Sequence, residues 1–195
     1  MAPRNRQFDP DAALEKAMAV FWHKGYEAAS VQDLVDAMGI NRFSLYDAFG
    51  DKHRLFIAAC RLYQSKMEEL RLCALEESQG GLASIREFFY DAIDTFDQPG
   101  ELHGCLMTQS ILELADHDEE LRDTAKVFLA RLETALYKAL QCAKRKGQLR
   151  PIRSLRESAA CLVTFAQGLS VMGKAYRDTK KLRRVTNLTL AGMAV

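Results

Sequence analysis

Ser30-Val-Gln-Asp-Leu-Val-Asp-Ala-Met-Gly-Ile-Asn-Arg-Phe-Ser-Leu-Tyr-Asp-Ala-Phe-Gly-Asp-Lys52 is the stretch whose reading decides the fold. Ser30 and Asp33 form a capping pair three residues apart, so a helix begins just after Ser30. Val31, Leu34, Val35 and Met38 then recur at helical spacing and give that helix one apolar face. Gly39 supplies the left-handed residue that ends it. Ile40 buries the turn, and Asn41 caps a second helix. That helix carries Leu45 and Phe49 inward and leaves Arg42, Phe43, Ser44 and Tyr46 near its exposed front end. A short helix, a tight turn and a second helix with a polar N-terminal face make the layout of a DNA-reading helix-turn-helix.

Working outward, Asp9-Pro10-Asp11 is a strong helix start, with Leu14, Ala17, Met18 and Phe21 as the buried stripe and Gly25 as the stop. Asp51 caps a long fourth helix, in which Leu55, Ala59, Leu62, Met67 and Leu70 keep the period to about Glu77. Gly80-Gly81 is the clearest break after it. A fifth helix runs from near Ser84 to Phe96 and closes at Pro99-Gly100. A shorter one covers Gly104 to Ala115, and a long one about Asp118 to Lys146. Gly147 and Pro151 separate that from a helix near Ser154 to Lys174, and a last one spans about Lys180 to Met193. No strand alternation and no internal repeat survive inspection. The expectation is an all-α chain of about nine helices.

Composition sets the outer bounds. The 195 residues are 48% hydrophobic and 27% charged, ample for a buried core. No apolar run approaches the roughly 20 residues of a membrane span, and no apolar stretch follows the basic start, so neither a membrane anchor nor a secretory signal is expected. Net charge is +1, yet residues 68–133 are strongly acidic and 142–184 strongly basic. The basic segment reads as a solvated surface. Residues 1–56 are nearly neutral, so a case for DNA rests on where their cations sit. Five widely spaced cysteines, with no C-x-x-C pair, read as reduced thiols of a cytoplasmic protein and exclude a zinc site. No G-x-S-x-G, H-E-x-x-H, G-x-G-x-x-G or phosphate loop occurs, so no enzyme and no cofactor are expected. His23, His53, His103 and His117 have no assignable partners in the sequence.

The run Ser30, Leu34, Ala37-Met38-Gly39-Ile40, Leu45-Tyr46, Phe49, Lys52 and Leu55, preceded by Phe21, Gly25 and Tyr26, resembles the N-terminal domain of TetR-family transcriptional regulators. Ala48 departs from that pattern, standing where the family usually has His or Tyr. Gly104-Cys105-Leu106 through Glu113-Leu114 is similar to a segment of one branch of the family, with Gln109 where that branch commonly has Asn. The resemblance implies an N-terminal three-helix DNA-binding domain over residues 1–56 and a helical ligand-binding and dimerisation domain over 57–195. It also implies a homodimer and a cytoplasmic regulator of double-stranded operator DNA.

The residues offer chemistry that suits this. Arg42 can donate two hydrogen bonds to guanine, and Phe43 can contact a thymine methyl group. Ser44 can reach a base or a phosphate. Tyr46, Lys52 and Ser30 suit phosphates, with the dipole of the fourth helix assisting Lys52. Arg4 and Arg6 suit the minor groove or the backbone. The competing readings make Tyr46 a partly buried core residue and Lys52 a surface charge. Phe88, Phe96, Phe128, Phe165, Ile111 and Met172, with Thr108 and Cys105, have the character of a small-molecule pocket, and equally of any helical core. The helix near 155–175 has little polar face and is expected to be buried nearly all round. Gly168, Ser170 and Gly173 would admit a second helix, and Leu182, Val185 and Leu188 of the last helix pair naturally with Phe165 and Leu169. A four-helix interface between two copies accounts for both helices.

Three functions compete at this point. The first is a dimeric repressor released from its operator by a small hydrophobic inducer. The second uses a cysteine as the switch. Cys105 follows Gly104 at an expected helix start, a position that raises thiol reactivity. The third is a helical thiol enzyme or adaptor that does not bind DNA.

Overall fold

A computed structural model of the chain describes residues 8–77, 79–97, 104–151 and 153–195. Among the described residues lie α1 (Pro10–Lys24), α2 (Val31–Met38), α3 (Arg42–Phe49), α4 (Lys52–Met67), α5 (Cys73–Glu77), α6 (Leu82–Asp94), α7 (Leu106–Leu114), α8 (Glu119–Arg145), α9 (Leu155–Tyr176) and α10 (Thr179–Ala191). A π-helical turn over Glu68–Leu72 joins α4 to α5, so these two form one rod and the rods number nine. The one extended pairing among these residues is an isolated antiparallel bridge between Leu149 and Ala194.

Local chemistry fixes the N-terminal helices. Asp9 caps α1, its carboxylate accepting from the Asp11 and Ala12 amides. At α2 the capping box is complete: the Asp33 amide donates to Ser30 Oγ at 3.0 Å and the Ser30 amide to Asp33 Oδ2 at 2.9 Å. Gly39 ends the helix at φ 71°, ψ 32°, a conformation that costs a residue with a Cβ about 1–2 kcal/mol. Asn41 then caps α3 through the Ser44 amide at 2.8 Å, and Asp51 caps α4 through the Arg54 amide at 2.7 Å. Each such cap contributes roughly 0.5–2 kcal/mol.

Two hydrophobic clusters hold the chain. The first joins α1, α2, α3 and α4 to the start of α7 and the front of α8; Ala17, Phe21, Leu34, Leu45 and Leu55 are sealed from solvent within it. Phe21 and Phe56 meet edge to face at 5.0 Å, and Tyr26 leans on Phe56 at 4.9 Å. The second gathers α5, α6, the back of α8, α9 and α10 around Ile85, Phe89, Ile93, Leu136, Leu140 and Leu162. The division at residues 56 and 57 falls inside α4, which runs through without a break.

Three expectations change. Leu70 does not continue the buried stripe of the fourth helix: it is 74% exposed, while Leu72 and Leu75 are buried. The π turn inserts one extra residue there and rotates everything after it. Helix α9 is buried on one side only, with Cys161, Val171 and Met172 exposed. It packs chiefly on α8, and α10 packs chiefly on α6, so the last two helices scarcely pair with each other in one chain. Leu169 and Leu182 are accordingly internal, at 6% and 4% exposure, and are not free to form a dimer face, while Phe165 is half-buried and meets Phe89 edge to face at 5.2 Å. Finally, the close approach that Gly173 permits is made by the Phe96 ring, within 2.3 Å of where a Cβ would stand, and Gly168 faces open space.

Candidate nucleic-acid interface and ligand cavity

The buried Leu45 turns α3 so that its other side faces outward. Phe43 is 67% exposed and Tyr46 47%, far more than core aromatics tolerate. Arg42 stands exposed at the first turn, tethered among the described residues only by a long hydrogen bond from Nη2 to Gln32 Oε1 at 3.4 Å. Ser44 is half-buried and gives its amide to the Asn41 cap. Lys52 opens α4, with Nζ 4.4 Å above the Tyr26 ring and 3.5 Å from the Glu27 carbonyl oxygen. Ser30 is exposed at the start of α2 beside the Lys24–Asp33 ion pair at 2.6 Å. Hydrogen bonds from Lys24, and then from Ser30, hold the Asp33 carboxyl well below its usual range. Arg42, Phe43, Tyr46, Lys52 and Ser30 are therefore all exposed or half-exposed on the helix-turn-helix and the start of α4. Arg4 and Arg6 lie outside the described residues.

The DNA-reading unit is tied to the rest of the chain by polar contacts absent from the sequence reading. Glu113, near the end of α7, accepts from two successive backbone amides of the α1–α2 connection: Tyr26 at 2.9 Å and Glu27 at 2.7 Å. His53, one residue after Lys52, meets Asp118 at 2.7 Å, and Asp118 also caps α8 through the Leu121 amide. Burial pushes the Asp118 carboxyl up, but the Leu121 amide and the His53 ring outweigh it and leave it below its ordinary value. His53 thus has a partner after all, 65 residues away, while His103 lies outside the described residues. No local spacing signals either contact.

Between the two clusters lies a cavity of about 220 Å³. Phe88, Phe96, Cys105 and Phe128 line it. Thr108 lines a neighbouring groove and bonds Gln167 at 2.5 Å. Ile111 packs in the first cluster, Phe165 packs in the second and Met172 is on the surface; none of these three lines the cavity. The sequence reading missed Met18 and Trp22 of α1, Tyr63 and Met67 of α4, and Arg71 of the π turn. Cys105 sits at the N-cap of α7, its amide donating to Ser170 Oγ at 2.7 Å and its sulfur accepting from the Tyr63 hydroxyl at 3.3 Å. Burial pushes the Cys60 thiol up to about 12, so that cysteine is chemically quiet. All five cysteines are free thiols. Among the described residues no group of side chains could hold a metal ion and no helix is long and apolar enough to cross a membrane.

An exposed reading helix, its capped scaffold helix and a helical body enclosing a cavity define a helix-turn-helix DNA-binding regulator. Residues 13–59 match the family described as bacterial regulatory proteins, tetR family, and residues 81–189 match the tetracyclin repressor-like C-terminal domain. The chain belongs to the TetR family, whose members are transcriptional regulators and not enzymes. It is 30% identical to the HTH-type transcriptional repressor ComR of Escherichia coli (strain K12) over 191 residues, covering 96% of this chain and 90% of ComR. It is 34% identical over 146 residues to the uncharacterized HTH-type regulator YezE of Bacillus subtilis (strain 168), 75% of each chain. Among solved structures, a cysteine mutant of the TetR-family regulator CifR, complexed with 26-base-pair operator DNA, superposes with a TM-score of 0.85 at 29% identity, over 98% of this chain and 100% of that one.

Proposed function

We propose that the protein is a homodimeric cytoplasmic repressor that binds double-stranded operator DNA and is released by a small molecule entering the cavity. One observation carries the reading: Met18 and Trp22 of α1 and Tyr63 of α4 wall the cavity, while α1 and α4 pack in the same cluster as α2 and α3. A ligand that moves those walls changes the setting of the reading helix without touching DNA. Arg42, Phe43 and Ser44 read bases, and Tyr46, Lys52 and Ser30 hold phosphates, with Arg4 and Arg6 adding to backbone attraction. Val171, Met172, Tyr176, Val185 and Leu188, exposed on α9 and α10, support a face covered by a second copy. Such a dimer would set its two reading helices about 34–36 Å apart, or a multiple of that.

The test is a mobility-shift titration against DNA from upstream of the protein's own coding region. Specific retention, competed by that DNA and not by bulk DNA, is expected. Salt-dependent retention without sequence preference would overturn the operator reading.

A second switch is favoured by the position of Cys105 on the cavity wall, under the Tyr63 hydroxyl. An electrophile forming a bond with its Sγ, the thiol proton passing to solvent, would push on the start of α7 and through Glu113 on the α1–α2 connection. Mass spectrometry after limiting thiol reagent should find Cys105 modified before Cys60. Release by electrophile that persists in Cys105→Ser would exclude that thiol as the switch.

A further inference from the structure

We infer that the cavity takes a small aromatic carboxylate, its ring among the aromatic walls and its acid group received by Arg71. This inference rests on the cavity being the inducer site. Four observations point to that chemistry. Trp22, Tyr63, Phe88, Phe89 and Phe128 bring aromatic rings to the walls, and among the described residues no Asp or Glu lines the cavity. Apolar cavities of ~150 Å³ hold a benzene ring, so about 220 Å³ suits a single ring with a short acidic tail.

The second observation is Arg71 itself. It is half-buried on the cavity wall, and among the described residues it has no carboxylate partner and no hydrogen-bond acceptor. The cavity's other cation, Lys66, is already paired with Glu15 at 2.7 Å. Desolvating a guanidinium group without an anion is costly, so an anion entering the cavity would be favoured beside Arg71. A carboxylate offers the two parallel acceptors that its fork fits.

Third, Arg71 is delivered by the π turn. Without the extra residue in Glu68–Leu72 the helix register beyond it would differ by about 100°. Such single-turn π insertions are frequent at functional sites. Fourth, the Arg71 charge is felt inside the cavity: it partly offsets the burial that pushes the Tyr63 hydroxyl far above its ordinary range.

Trp22 is the chain's single tryptophan and lies on the cavity wall, so its emission reports occupancy directly. The probes are 3-phenylpropionate and its neutral amide, titrated into the full-length protein at pH 7. The acid should bind saturably and at least tenfold tighter than the amide. Arg71→Gln should abolish that preference and leave amide binding unchanged, while Arg71→Lys should keep part of it. A circular-dichroism melt establishes that each variant is folded, and the acid-to-amide ratio in the unmutated protein stands without any variant. Equal binding of acid and amide by the unmutated protein would overturn the carboxylate class and leave the cavity as a ligand site. An undiminished preference in Arg71→Gln would overturn the role of Arg71. Binding of neither probe at millimolar concentration would overturn the inference, and displacement of operator DNA by some other ligand would then decide the fate of the cavity reading separately.

Discussion

Arg42 and Lys52 open successive helices and are expected to fail differently. Arg42 is on the reading helix, tethered only weakly to Gln32. Its replacement by alanine should cost on the order of 1–3 kcal/mol of operator affinity and loosen preference at one base position. Lys52→Ala should weaken binding to all sequences alike and reduce the salt slope by about one. Fluorescence anisotropy against the operator and a scrambled duplex, across a salt series, separates the two. Unchanged affinity in both folded variants would remove them from the interface. These residues were legible in the sequence because helix caps and apolar spacing are local, and together they fix which side of an eight-residue helix faces out. Glu113 and the His53–Asp118 pair were not, because their partners lie 65 residues or more away along the chain.

Helix α7 is a short lever with a grip at each end. Its N-cap, Cys105, is held by Ser170 and Tyr63, and its Glu113 holds the Tyr26 and Glu27 amides. Glu113→Ala should speed amide hydrogen exchange at Tyr26 and Glu27 at least tenfold and leave the amides of α9 unchanged. Exchange left as it was would show that the grip is not holding. At the start of α8, Asp118→Ala removes a cap contribution of about 1 kcal/mol, so the melting temperature should fall by roughly 2–4 °C at pH 7. Because the folded state holds the Asp118 carboxyl below its ordinary value, its stabilisation is present above the unfolded carboxylate range and lost as pH falls through the folded value. The gap between variant and parent should therefore narrow below about pH 4. At this scale the helices were readable, but the π turn was not: Leu70 fits the 3.6-residue period perfectly well, and only packing against α8 and α6 decides that Leu72 and Leu75 go inside.

For the whole molecule, the question is what covers the outer side of α9 and α10. Leu188 is 75% exposed, so Leu188→Glu should leave the fold and melting temperature of one chain nearly unchanged. It should still give a monomer by sedimentation at micromolar concentration, and operator affinity should fall with it. A charge at Leu169 would instead unfold the chain, since that side chain is internal. A monomer of the unmutated protein that binds its operator tightly would refute the dimer. The sequence announced one strongly apolar helix and a last helix with an apolar stripe, but not which side of each is used within the chain. That choice is made by α6 and α8, and hydrophobic spacing is blind to it.

The sharing of α1 between the first cluster and the cavity has a consequence for how such a protein can diverge. Met18 and Trp22 both wall the cavity and pack in, or against, the cluster that seats the reading helix. A mutation there that admits a new effector also perturbs operator recognition. Descendants of this chain would therefore have freer rein to change effectors at Phe88 or Phe96, which pack in the second cluster, than at either α1 residue.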